Sequence, residues 1–128
     1  MKKILTTLLF SLLLMNFALS QDTAMVVHFF SSTPLTMVGE TSSECNFGLT
    51  ASPGQVDAIA AAIGQWPQKF TFSSKAGTDP AFPFICTLNL FGDTHVQSLH
   101  KTLLWLGVSF FTLEGKVYPL NDMLSKIQ

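Results

Sequence analysis

The chain is 128 residues long, 48% hydrophobic and 12% charged, with a formal net charge of −1 and no arginine. Phosphate recognition draws on clustered Arg and Lys, so this balance argues against nucleic-acid binding. The charged share is about half of the roughly 25% usual in globular chains, which leaves little ionic surface.

Residues 1–20 read as a secretory signal peptide. Lys2 and Lys3 make a basic start, residues 4–14 an apolar run, and Ala18-Leu19-Ser20 a small-residue cleavage site. The run is too short to span a bilayer, and no later stretch is long enough, so the product is expected to be exported without a membrane span. The expected destination is the periplasm or the extracellular space. Cleavage would leave five lysines against eight acids. Such a chain is long enough for one domain with its own core.

Residues 21–43 are predicted to hold an N-terminal strand at 25–30 and a Ser/Thr/Pro/Gly-rich connector, with a short extended piece at 35–38. Residues 44–128 form the main domain. Its first strand alternates Cys45, Phe47 and Leu49 against Glu44, Asn46, Gly48 and Thr50. Ser52-Pro53-Gly54-Gln55 then carries a capping box with proline at the first helical position. Val56, Ile59, Ala60 and Ile63 form the helical stripe, and Gly64 stops it. Trp66-Pro67 leads to a strand at 69–73. A turn at 77–80 precedes a strand on which Phe84, Cys86, Leu88 and Leu90 alternate. Asp93 is placed as the cap of a second helix with the stripe Val96, Leu99, His100 and Leu103, ended by Gly107. A strand at 108–113, a short strand at 117–120 and a helical turn or two through Met123, Leu124 and Ile127 complete the order.

Residues 45–75 and 86–116 overlay at an offset of 41. Cys45 meets Cys86, Leu49 meets Leu90, Phe70 meets Phe111 and Lys75 meets Lys116. A one-residue slip sets Val56, Ile59 and Ile63 on Val96, Leu99 and Leu103. Two strand–helix–strand units joined by a short turn predict an α+β, ferredoxin-like duplicated βαβ (βαββαβ) sheet with both helices on one face. In that arrangement the first and third strands are antiparallel neighbours about a twofold axis. Cys45 and Cys86 would then meet in a disulfide, which export favours. Two buried free thiols are the alternative.

Candidate sites are few. Trp105 falls opposite the second helix's stripe, and Ala58, Ala61 and Ala62 occupy the outer face of the first. Together they are a candidate contact surface for a protein partner or for self-association. The open side of the sheet, with Asn46, Thr87 and Asn89, is another. Met25, His28 and His100 are the candidate metal ligands, with Met37 a further soft donor. His95 and His100 are five apart and cannot chelate one ion from a regular helix.

No catalytic or phosphate-loop motif is present: there is no G-x-S-x-G, no H-E-x-x-H and no Walker loop. Thr50-Ala51-Ser52-Pro53 stands where heavy-metal-associated domains carry Cys-x-x-Cys, and the lack of arginine removes an acylphosphatase-type cradle. The expectation is a small exported, non-enzymatic binding or interaction domain that needs no cofactor. The alternative is a periplasmic metal or small-ligand carrier.

Overall fold

The computed structural model describes residues 24–127; the signal peptide expected at 1–20 lies outside the described residues. Seven strands occur among them: β1 (Met25–Phe29), β2 (Leu35–Val38), β3 (Ser42–Thr50), β4 (Phe70–Ala76), β5 (Phe84–Leu90), β6 (Val108–Leu113) and β7 (Lys116–Pro119). The helices are α1 (Pro53–Gly64), α2 (Val96–Trp105) and α3 (Met123–Lys126), with a 3-10 turn at Leu120–Asp122 before α3. No helix among the described residues is long and apolar enough to cross a membrane.

Local chemistry explains the helix starts and stops. Ser52 Oγ accepts from the Gln55 amide at 3.1 Å, and the Gln55 side chain accepts from the Ser52 amide at 2.8 Å, closing the capping box ahead of Pro53. α1 ends on Gln65 in a right-handed helical conformation, so Gly64 lies within the helix and does not act as a left-handed cap. α2 does end on glycine: Gly107 has φ +88°, and its amide donates to the Leu104 carbonyl. Asp93 lies two residues before the N-cap position of α2, which is His95, and accepts from the His95 amide at 2.9 Å.

The fold is α+β, built on one mixed and mostly antiparallel seven-stranded sheet in the order β4-β5-β3-β1-β6-β7, with β2 also paired to β3. This differs from the expected ferredoxin-like order, because β1 is inserted between β3 and β6. β1 and β2 run antiparallel to β3 as an interrupted hairpin arm, Phe29 opposite Phe47 and Leu35 opposite Cys45. Strands joined by a short turn are usually neighbours in the sheet. That hairpin occupies the edge of β3 that β6 would have taken, and β6 runs parallel to β1 instead. A bulge between Met25 and Val26 shifts this register, so Val108 and Phe111 are both buried while Phe110 turns outward.

Val27, Phe29, Cys45, Phe47, Leu49, Cys86, Leu88, Leu90 and Phe111 line the inner face of the sheet. Val56, Ile59 and Ile63 of α1, Leu99 and Leu103 of α2, and Met123 and Ile127 at the C-terminus close the same core. The opposite face carries Glu44, Asn46, Thr87 and Asn89 at its centre, exposed Phe110 and Val117 towards β7, and residues 77–83 folded back on it near Gly48.

β3 and β5 are antiparallel neighbours as expected, and both cysteines point into the core, but they do not meet. Cys45 stands opposite Leu88 and Cys86 opposite Phe47, displaced by two residues from the register that would oppose the sulfurs. A two-residue slip preserves the face and moves the partner to a diagonal. Diagonal Cα atoms lie roughly 7–8 Å apart, beyond ordinary disulfide reach. Both are buried free thiols, which corrects the expected Cys45–Cys86 bond. Burial, with the Glu44 carboxylate adding to it, pushes the Cys45 thiol up to about 12, and burial pushes Cys86 up to about 12.

A groove between the two helix ends

The residues after α1 make a tight turn. Trp66 N–H donates to the Ile63 carbonyl at 2.9 Å, and the amides of Lys69 and Phe70 both donate to the Trp66 carbonyl at 3.0 Å. That turn holds Trp66 on the surface, 49% exposed, with the Lys69 ammonium 5.5 Å from its ring centroid. Phe70 then enters β4 half-buried. From the other side comes the last turn of α2, whose buried Leu99 and Leu103 leave Trp105 facing outward, 49% exposed. Phe70 and Trp105 stack with centroids 6.1 Å apart at 30°.

Trp66, Lys69, Phe70, Lys101, Thr102 and Trp105 thereby enclose an open groove of about 270 Å³. A second depression of about 360 Å³ continues from it past Phe91, Asp93 and Ser98, sharing Lys69, Phe70, Lys101 and Thr102. Neither lysine is within ion-pair distance of a carboxylate among the described residues. The only two tryptophans of the chain are both here.

Of the residues singled out as a contact surface, Trp105 also lines a smaller hollow of about 130 Å³ with Met25, Ala58 and Ala62. Ala61 is exposed on α1 and does not line this hollow. The structure thus brings Trp105 beside Ala58 and Ala62. It also adds Trp66, Lys69, Phe70 and Lys101, which the sequence reading left out. One signal was available: each long helix closes on a tryptophan, at its end or two residues past it.

The candidate metal ligands do not converge. Met25 is buried in the core, His28 faces the opposite side of the same strand, and His100 is half-buried on α2. No group of three or more His, Cys, Asp or Glu among the described residues has the geometry to hold a metal ion. Met37 is exposed on β2. The Nε2 atom of His100 is buried without a hydrogen-bond partner among the described residues.

His28 has a structural task. Thr50 Oγ1 donates to the Ala81 carbonyl at 2.6 Å, so it must accept from His28 Nε2 at 2.7 Å, which fixes a proton on that nitrogen. Nδ1 of the neutral ring then accepts from Thr112 Oγ1 at 2.9 Å. Phe82 covers the imidazole at a centroid distance of 5.2 Å and rests on Gly48, where an added Cβ would come within 2.5 Å of its ring. Burial lowers the His28 pKa, against a smaller upward pull from Asp79.

Asp93, His95 and Ser98 contain the residue types of a catalytic triad in the wrong order. The Asp93 carboxylate accepts from Ser98 Oγ at 2.5 Å and meets His95 Nδ1 at 3.1 Å, so the acid stands between the other two. An imidazole not bonded to the serine cannot take its proton. Burial raises the Asp93 pKa, but the bonds from Ser98 and His95 outweigh it and hold the carboxyl below its usual value. The group braces the start of α2, and Ser43 Oγ ties it to β3 by donating to the Asp93 carbonyl at 2.8 Å. On the open sheet face, Thr87 donates to Asn46 at 2.6 Å and Asn89 to Thr71 at 2.9 Å, so these polar side chains largely satisfy one another.

No protein-family model matches the chain, nor does any curated protein or any solved structure.

Proposed function

We infer that this chain is a small exported binding domain without catalytic chemistry, and that its working surface is the groove between Trp66, Phe70 and Trp105. One observation carries the reading: both tryptophans lie half in solvent on one surface, with Lys69 and Lys101 beside them and no carboxylate paired to either. A chain of this size gains stability by burying large rings, and contact surfaces concentrate their energy in Trp. Export is supported by Lys2, Lys3, the apolar run and Ala18-Leu19-Ser20. The same reading takes residues 45–75 and 86–116 as two copies of one ancestral unit, supported by their matching at an offset of 41.

The test is affinity capture from the native host, comparing the unaltered chain with Trp66→Ala and Trp105→Ala. Both residues are exposed, so the variants should fold. The reading expects a component retained by the unaltered chain and lost from both variants. Identical retention by all three would remove the groove as the working surface.

A further inference from the structure

We propose that the groove takes a small carboxylate carrying an apolar ring, of the arylalkanoate class. The proposal rests on the binding reading above and adds the ligand's chemistry. Three aromatic side chains, Trp66, Phe70 and Trp105, supply an apolar lining on which a ring can stack. The two cations come from opposite walls, Lys69 from the turn before β4 and Lys101 from α2.

Charge accounting gives the ligand its sign. No lysine among the described residues has a carboxylate partner, and Lys69 and Lys101 are the two that line the aromatic groove. Asp93 is the acid lining the adjoining depression, and both its oxygens are engaged, one by Ser98 and one by His95. Two ammonium groups without carboxylate partners, one of them over the Trp66 ring, beside an apolar lining suit an anion joined to a ring. At about 270 Å³ the groove falls just below the roughly 300 Å³ at which small-molecule sites begin, so the ligand has one ring and a short acidic arm.

The test uses the ¹⁵N-labelled chain, whose two tryptophans give two indole N–H signals, both reporting from the groove. It is titrated with 3-phenylpropanoate and, separately, with 3-phenylpropanamide, the neutral ligand of the same shape. The expected result is a saturable shift of both signals, with the acid binding roughly fivefold more tightly than the amide. In a Lys69→Gln/Lys101→Gln variant the ratio of acid to amide affinity falls to about one. Equal affinities for acid and amide in the unaltered chain would overturn the proposal, as would the absence of a saturable shift. Broadening that depends on protein concentration alone would also overturn it and make the occupant a second copy. If phenylpropanoate fails while capture is still lost in Trp105→Ala, the ligand class falls and the binding surface stands. If both fail, both fall.

Discussion

The first strand–helix–strand passage, β3-α1-β4, and the second, β5-α2-β6, begin alike and end differently. Their opening strands lie side by side at the centre of the sheet, each burying one cysteine. Their closing strands separate: β4 takes one edge, while β6 is enclosed between β1 and β7. Phe70 and Phe111 hold equivalent places in the two passages. Phe111 is fully buried between Phe29, at 5.8 Å, and Tyr118, at 5.3 Å. Phe70 is half-buried and has Trp105 stacked on it. The residues outside the repeat, β1 and the segment from β7 onward, therefore decide which copy keeps an open surface. The first copy's end is left as the open groove because nothing among the described residues covers it.

The likeness of the opening strands is the easiest part to break. Cys45 and Cys86 should both resist a thiol reagent in the native protein, reacting at least roughly a thousandfold more slowly than after denaturation, when two thiols appear. Absence of thiols in the denatured, unreduced protein would mean the sulfurs had paired and the β3–β5 register is wrong. The unlikeness of the closing strands comes next. Phe111→Ala should cost about 3–5 kcal/mol in urea denaturation and Phe70→Ala about 1–2 kcal/mol. Equal costs would place both rings in comparable cores.

The outer face of the sheet offers a smaller effect. Gly48→Ala forces Phe82 off the strand and should cost about 1–3 kcal/mol, a cost largely absent in a Phe82→Ala background. Full additivity of the two would show that the ring does not rest there. The smallest effect is on pH dependence. The folded pKa of His28 is below 6.5, so the unfolded chain binds more protons in the window beneath that value. His28 therefore contributes stability that is present above pH 6.5 and lost as pH falls through its folded pKa. His28→Gln should flatten that slope; an unchanged slope would assign it to other groups.

Much of the local structure was legible. Alternation marked β3 and β5, the Ser52–Gln55 box marked α1, and Gly107 marked the end of α2, because each depends on neighbours within a few residues. The place of β1 was not, since its alternation around Val27 is the same whichever neighbours it takes. The cysteine register was missed for a related reason: a shift of two residues leaves every side chain on its proper face. Trp105, Ala58 and Ala62 could be chosen from helical periodicity. Their joining to Trp66, Phe70 and Lys69 depends on a turn meeting a helix some 35 residues later, and the clamp of Phe82 on Gly48 and His28 is equally long-range.

The most direct test sets the two ends of the sheet against each other in one capture experiment from the native host. One variant carries Trp66→Ala with Trp105→Ala at the open end. The other carries Phe110→Ala with Val117→Ala, exposed apolar residues at the covered end. The account predicts that the first variant loses the retained component and the second keeps it. Retention by the first with loss from the second would contradict it.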